Sequence, residues 1–345
     1  MKSIKVCTAG VLLFSSWAFG WDSSIVYKDA TTQRLVYKSD ANGNRLADFS
    51  HAGYQGGTVA LPTLAVVKTI TPVSGDNTAN IQNAINEVAK LTPNASGHRG
   101  TVLLKKGTYP VSGIIYINAS GIVLRGEGQG TADTVVVGTG TAQMKELGII
   151  LVKLSTDGQI VASGTKQNIV SELLPVGSRT IEVENGSVYA VGDRLVIEHV
   201  ATDAWLQAVR YGDTAGDEVP WTPGLGELTM RFEGLVTAIS GNKIKLDSPI
   251  YCELKRSLAQ ATVYKHSGAG VITESGVENL RVISDNPTTN SQNEDHRWDC
   301  VHFIGARNCW AKNVTAVGFA EGGIRFSKSI RSTVLSCSAL EPVSP

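Results

Sequence analysis

The chain has 345 residues, with 31 Lys+Arg balanced against 31 Asp+Glu. That balance carries no clustered basic face and argues against a nucleic-acid partner. Charged residues make up 18%, below the roughly 25% of ordinary soluble domains, and the 36 glycines suit sheets joined by many tight turns.

Residues 1–20 read as a secretory signal peptide. MKSIK carries two lysines and no acid, and VCTAGVLLFSSWAF is apolar but short of the roughly 20 residues that a span needs. Ala18-Phe19-Gly20 then puts small residues at the cleavage positions before Trp21. The expectation is a secreted or periplasmic protein, cleaved near Gly20-Trp21, with no membrane span in the mature chain.

Residues 21–60 read as short strands broken by turns, among them SSIVYKD and QRLVYKS. The segment DNTANIQNAINEVAKL then predicts a helix, with Ile81, Ala84, Ile85, Val88 and Leu91 on one face, Asp76 or Thr78 as cap and Pro93 as stop. From Gly100 the apolar period becomes two. TVLLKKGTYPVSG, IIYINASGIVLRGEG and TVVVGTG predict strands punctuated by glycine. A helix followed by many short strands argues against a βαβ sheet and for a solenoid whose open end the helix plugs.

Between about 165 and 255 the texture is that of a compact β-meander, with hairpin chemistry at Ser240-Gly241-Asn242. Beyond it, ENLRVIS (278–284), KNVTAVG (312–318) and LSCSALE (335–341) align, the last two 23 residues apart, a step that fits one coil of a parallel β-helix. The predicted organisation is therefore all-β: cap and first coils over 21–160, an inserted β-rich subdomain over 161–255, and further coils over 256–345. Cys252, Cys300, Cys309 and Cys337 follow the signal segment; buried thiols and disulfides are both open, with three pairings possible.

ADFSHAGYQGG, IQNAINEVAKL, GTVLLKKGTYPVSGIIYINASGIVLRGEGQGT and GVENLRV together resemble the opening coils of the pectate-lyase-like right-handed parallel β-helix proteins. VGDRLVIEHVATDAWLQAV and EDHRWDCVHFIGARNCWAKNVTAVGF are similar to a bacterial branch of that superfamily known only as pectate lyase superfamily protein. The resemblance implies the fold and a polysaccharide substrate. The expected function is a secreted polysaccharide-degrading enzyme, a lyase cleaving a uronic-acid polymer by β-elimination; the alternatives are a glycoside hydrolase on the same fold or a non-catalytic glycan-binding or structural β-helix protein. Members of this branch continue for further coils past the point matching Leu340–Pro345, so a fragment, or an end covered by a partner, is expected. A monomer is expected if the coils are complete.

The loop SDNPTTNSQNEDHRWD (284–299) concentrates polar side chains just before the repeats. For elimination, a base must take the C5 proton while a cation neutralises the carboxylate. His296 is the expected base, with Lys312 as its alternative, and Arg297 the expected clamp. For hydrolysis, two carboxylates facing one sugar are needed, and Asp299 with Glu321 is the pairing that reaches across coils. Trp205, Trp221, Trp298, Arg325 and His302 are candidate substrate contacts. Glu294 and Asp295 are candidate ligands for a Ca²⁺ ion, should one be used.

Overall fold

The computed structural model describes residues 23, 25–57, 59–139, 148–154, 161–209, 229–286, 288 and 290–344. The expected signal peptide lies outside them. The fold is mostly β. After an antiparallel hairpin of Val26–Lys28 with Leu35–Tyr37, the strands of Val66–Val152 and Gly276–Leu340 pair in parallel and form three strips, which the chain visits in a constant order.

The first strip contains Val66–Ile70, Gly100–Leu104, Ile122–Arg125 and the leading halves of Gly276–Ser284 and Trp310–Val317. Gly107–Val111, Thr134–Gly138 and the trailing halves of those two long strands form the second. The third consists of Ile115–Ile117, Ile150–Val152, Asp299–Ile304 and Gly322–Ser327. Thr333–Leu335 and Ser338–Leu340 extend the first and second strips.

The period-two pattern dictates this arrangement. Inward positions stack in register from coil to coil: Val102, Leu124, Val277, Ala311 and Val334 on the first strip, and Ile117, Val152, Phe303 and Phe326 on the third. The Phe303 and Phe326 rings stack with centroids 4.4 Å apart. Each fully buried aliphatic side chain in such a column contributes roughly 1.5–3 kcal/mol. The corners between strips are left-handed. Gly305, Asn308, Asn313 and Gly318 recur 23 residues later as Lys328, Arg331, Ser336 and Glu341, all with φ between 50° and 70°. The repeat read from the sequence is thus the repeat of the corners.

One end of the inward columns is closed by the helix Thr78–Ala89, which buries Ile81, Ala84, Ile85 and Val88. Leu91 falls beyond the helix and is exposed, so it leaves the predicted face. Of the two expected caps, Asp76 is the one that accepts from the first turn, from one residue further out. Asn77 precedes the helix without a side-chain cap bond, and Asp76 accepts instead from the Thr78 amide at 3.0 Å.

After Ile150–Val152 the chain leaves the coils. It builds a six-stranded antiparallel sheet, ordered Gln167–Asn168, Thr262–Lys265, Arg194–His199, Met230–Ser240, Lys243–Leu246 and Thr180–Glu182. Its own core includes Ile169, Leu195, Ile197, Val236, Ile244 and Val263. Thr262–Lys265 lies past the limit at 255 read from the sequence. It belongs to this sheet because Leu195 pairs with Lys265 and Ile197 with Val263. The coil then resumes as though uninterrupted, with Val301 paired directly to Ile150.

Candidate functional site

On the third strip, Val301 and Phe303 point into the core and His302 points out. This alternation sets His302 beside Ser327 of the next coil, where its Nε2 lies 2.8 Å from Ser327 Oγ. Its Nδ1 lies 3.1 Å from Asp299 Oδ2. Asp299 begins the strand at the corner and is fully buried.

Glycine makes the room for that carboxylate. A Cβ on Gly322, the register partner of Asp299, would fall 2.5 Å from Asp299 Oδ1, and one on Gly148 would fall 3.3 Å from Asp299 Cβ. Asp299 Oδ1 has no hydrogen-bond partner among the described residues. A buried carboxylate oxygen without a donor is costly, and such costs concentrate where a group is held ready for chemistry. Arg325 stands opposite His302 in the parallel register, its Nη1 3.5 Å from Asp299 Oδ2 and ion-paired also with Glu321. One guanidinium therefore joins the two carboxylates expected to face each other across coils, and its side chain is 37% exposed.

A second feature lies alongside. Where the inserted sheet meets the coils, a cleft of about 550 Å³ opens between Arg231, Phe232 and Tyr251 on one wall and Phe326, Lys328 and Arg331 on the other. Phe326 and Lys328 flank Ser327 in the chain. Tyr251 is 43% exposed and stacks on exposed Phe49, ring centroids 5.6 Å apart. Two lining residues are held by ion pairs. Glu233 is shared by Arg194 at 3.4 Å and Arg307 at 2.5 Å, and Arg331 pairs with Asp247. Burial, and then the neighbouring Arg307, lower the pKa of Arg194.

The structure brings together Asp299, His302 and Arg325 from the sequence reading, and adds Ser327. It removes His296 and Arg297 as surface groups, because both are fully buried. His296 Nδ1 lies 2.7 Å from Ser284 Oγ, and its Nε2 3.3 Å from Val343 O. Arg297 donates to the carbonyls of Ser112 and Gly113 at 2.7 and 2.9 Å. Both satisfy backbone and hydroxyl groups at strand ends that would otherwise be buried without partners.

Lys312 lies on the first strip, in register with Glu278, and so on a different strip from His302. Trp298 is half-buried; its Nε1 donates to Glu294 O at 3.2 Å, and its own carbonyl accepts from the Glu321 and Gly322 amides, which ties the corner next to Asp299. Trp205 lies in the short helix Asp203–Ala208, its ring edge-on to buried His199 at 5.4 Å. Trp221 lies outside the described residues.

Glu294 accepts from Ser344 Oγ at 2.6 Å, and among the described residues no three His, Cys, Asp or Glu side chains converge. The four cysteines are free thiols. Burial pushes Cys300 and Cys309 up to about 12, which makes them inert core residues.

No family model matches the sequence, and no curated protein matches it. Among solved structures, the chain is similar to the tailspike protein gp49 of Pseudomonas phage LKA1, with TM-score 0.39 and 16% identity, over 76% of this chain and 39% of that one. It is similar to the Gp54 tailspike of Acinetobacter baumannii bacteriophage AP22, solved with A. baumannii capsular saccharide, with TM-score 0.31 and 14% identity, over 77% and 44%. A polygalacturonase from Erwinia carotovora follows, with TM-score 0.23 and 11% identity, over 83% and 64%. The chain spans about two fifths of the length of the two tailspikes. Likenesses this remote say nothing of activity. No helix among the described residues is long and apolar enough to cross a membrane.

Proposed function

We propose that the chain is a right-handed parallel β-helix protein, exported from the cell, that binds an acidic polysaccharide in the cleft between its inserted sheet and its coils. The observation that carries this reading is the pairing of the aromatic faces of Phe232 and Tyr251 with the cations Arg231, Lys328 and Arg331 in one 550 Å³ cleft. Aromatic faces pack against the apolar C–H surface of a sugar ring. Guanidinium forks bind carboxylates in pairs of parallel hydrogen bonds. The order of basic, apolar and small residues over 1–20 supports export.

Retention on immobilised polygalacturonate, alginate and a neutral β-glucan tests the reading. The chain is retained on the uronates and released by salt, and Tyr251→Ala and Arg231→Ala elute early. Equal retention on the neutral glucan, or unchanged retention of both variants, would overturn it.

One observation favours a second reading, cleavage of the bound polymer by β-elimination: the Asp299–His302 pair stands beside Arg325, a base next to a cation that can hold a uronate carboxylate. Elimination leaves an unsaturated uronate whose ultraviolet absorbance grows with turnover. A flat trace on every retained polymer rejects it.

A further inference from the structure

We propose that Ser327, His302 and Asp299 form a nucleophile, base and orienting group that hydrolyse carboxylic esters carried as O-acyl groups on a sugar chain. The geometry is a continuous chain of contacts, from Asp299 Oδ2 to His302 Nδ1 at 3.1 Å and from His302 Nε2 to Ser327 Oγ at 2.8 Å. With the imidazole neutral and Nδ1–H donating to Asp299, the Nε2 lone pair is left to accept the Ser327 hydroxyl proton. A serine beside such a base, itself oriented by a buried carboxylate, is the arrangement recognised by geometry on many unrelated folds.

Three further features fit this role. The carboxylate is cradled where Gly322 leaves out a side chain, and its Oδ1 has no partner among the described residues. The hydroxyl belongs to an outward position at the end of the strand Gly322–Ser327. Arg325 places a cation directly across the register from His302.

The balanced reaction runs in two halves. Ser327 Oγ forms a bond to the acyl carbon as its proton passes to His302 Nε2. The resulting tetrahedral oxyanion collapses, the carbon–oxygen bond to the sugar breaks, and the sugar oxygen takes the proton from Nε2. Water then attacks the acyl-serine, gives its proton to Nε2, and the carboxylic acid leaves as Ser327 Oγ recovers that proton. No oxidant, metal or second substrate is required.

The choice of a sugar-borne ester rests on the glycan reading above; the ester chemistry does not. The test uses the full chain and two small probes that need no cleft. A fluorophosphonate should label Ser327, located by peptide mapping, and 4-nitrophenyl acetate should be hydrolysed at a rate that Ser327→Ala lowers by about 10³-fold or more. The circular dichroism of Ser327→Ala should match that of the unaltered protein. Absence of the label from Ser327, or hydrolysis by a folded Ser327→Ala at the original rate, would overturn the nucleophile. Acetate release from O-acetylated polygalacturonate, lost in Ser327→Ala, supports the sugar-borne substrate; hydrolysis of the small ester alone would overturn that part. Retention on uronates is measured separately, so either proposal can fail while the other stands.

Discussion

Asn313 sits directly above Asn279 at one corner of the coil, and its Nδ2 donates to Asn279 Oδ1 at 2.8 Å. Both residues are left-handed, at φ 51° and 52°. Asn adopts that conformation more readily than other residues with a Cβ because its short amide can hydrogen-bond locally, and here the same amide links one coil to the next.

Replacing Asn313 by Val should therefore cost about 1–2 kcal/mol for the left-handed backbone alone, plus the lost inter-coil hydrogen bond of roughly 1 kcal/mol. Asn313→Gly loses only the bond. Urea unfolding of the two variants should rank them in that order, and equal midpoints would show that the corner tolerates any residue.

Glu278 is buried on the outer side of the first strip, held by Arg125 Nε at 2.7 Å and by Trp310 Nε1 at 2.7 Å. Trp310 is in turn covered edge-on by Tyr54 at 5.4 Å. Glu278→Ala strands the guanidinium and the indole N–H, and should destabilise by about 3–5 kcal/mol. Chemical denaturation measures it; a loss below about 1 kcal/mol, the level of an exposed pair, would show that water reaches this layer.

Asp76 fastens the cap helix to the second strip. It accepts from Thr78 and from the amide and hydroxyl of Ser112 at 2.7–3.0 Å. Partial burial raises its pKa, but the Thr78 and Ser112 hydrogen bonds outweigh burial and bring it down to about 2. The folded value lies below the unfolded one, so the stabilisation is complete above the ordinary carboxylate range and fades as pH falls toward 2. The gap in melting temperature between the unaltered chain and Asp76→Ala should be constant from neutral pH to about pH 5 and narrow below it. A gap that holds at the lowest pH would show that the carboxylate charge is irrelevant there.

Gly322→Ala introduces a methyl group 2.5 Å from Asp299 Oδ1. The carboxylate can swing aside, so stability should change by less than about 1.5 kcal/mol. Swinging takes Oδ2 off His302, however, and displacements of that size cost up to about 10²-fold in rate. Hydrolysis of 4-nitrophenyl acetate should fall while the melting temperature hardly moves; an unaltered rate would separate Asp299 from the reaction.

The coils were legible because two periodicities coincide in the sequence: alternation of two within a strand, and a 23-residue step between Asn313-Val314 and Ser336-Cys337 that is also the step between corners. The site was half legible. Asp299 and His302 lie three residues apart on one strand, but Ser327 reaches them only through the parallel pairing of the next coil, and no local pattern announces it. His296 and Arg297 misled because a run of polar residues resembles a solvated loop. Their side chains turn inward to serve the carbonyls of Ser112, Gly113 and Val343. The cleft was invisible, since Tyr251 and Arg331 belong to different layers of the fold.

The direct pairing of Ile150 with Val301 means that the coil closes over the point where the antiparallel sheet departs. Whatever that excursion becomes over evolutionary time, longer, shorter or differently surfaced, the strand bearing His302 keeps its neighbours. New recognition surfaces can thus be tried on the inserted sheet while the strands of the coils stay aligned.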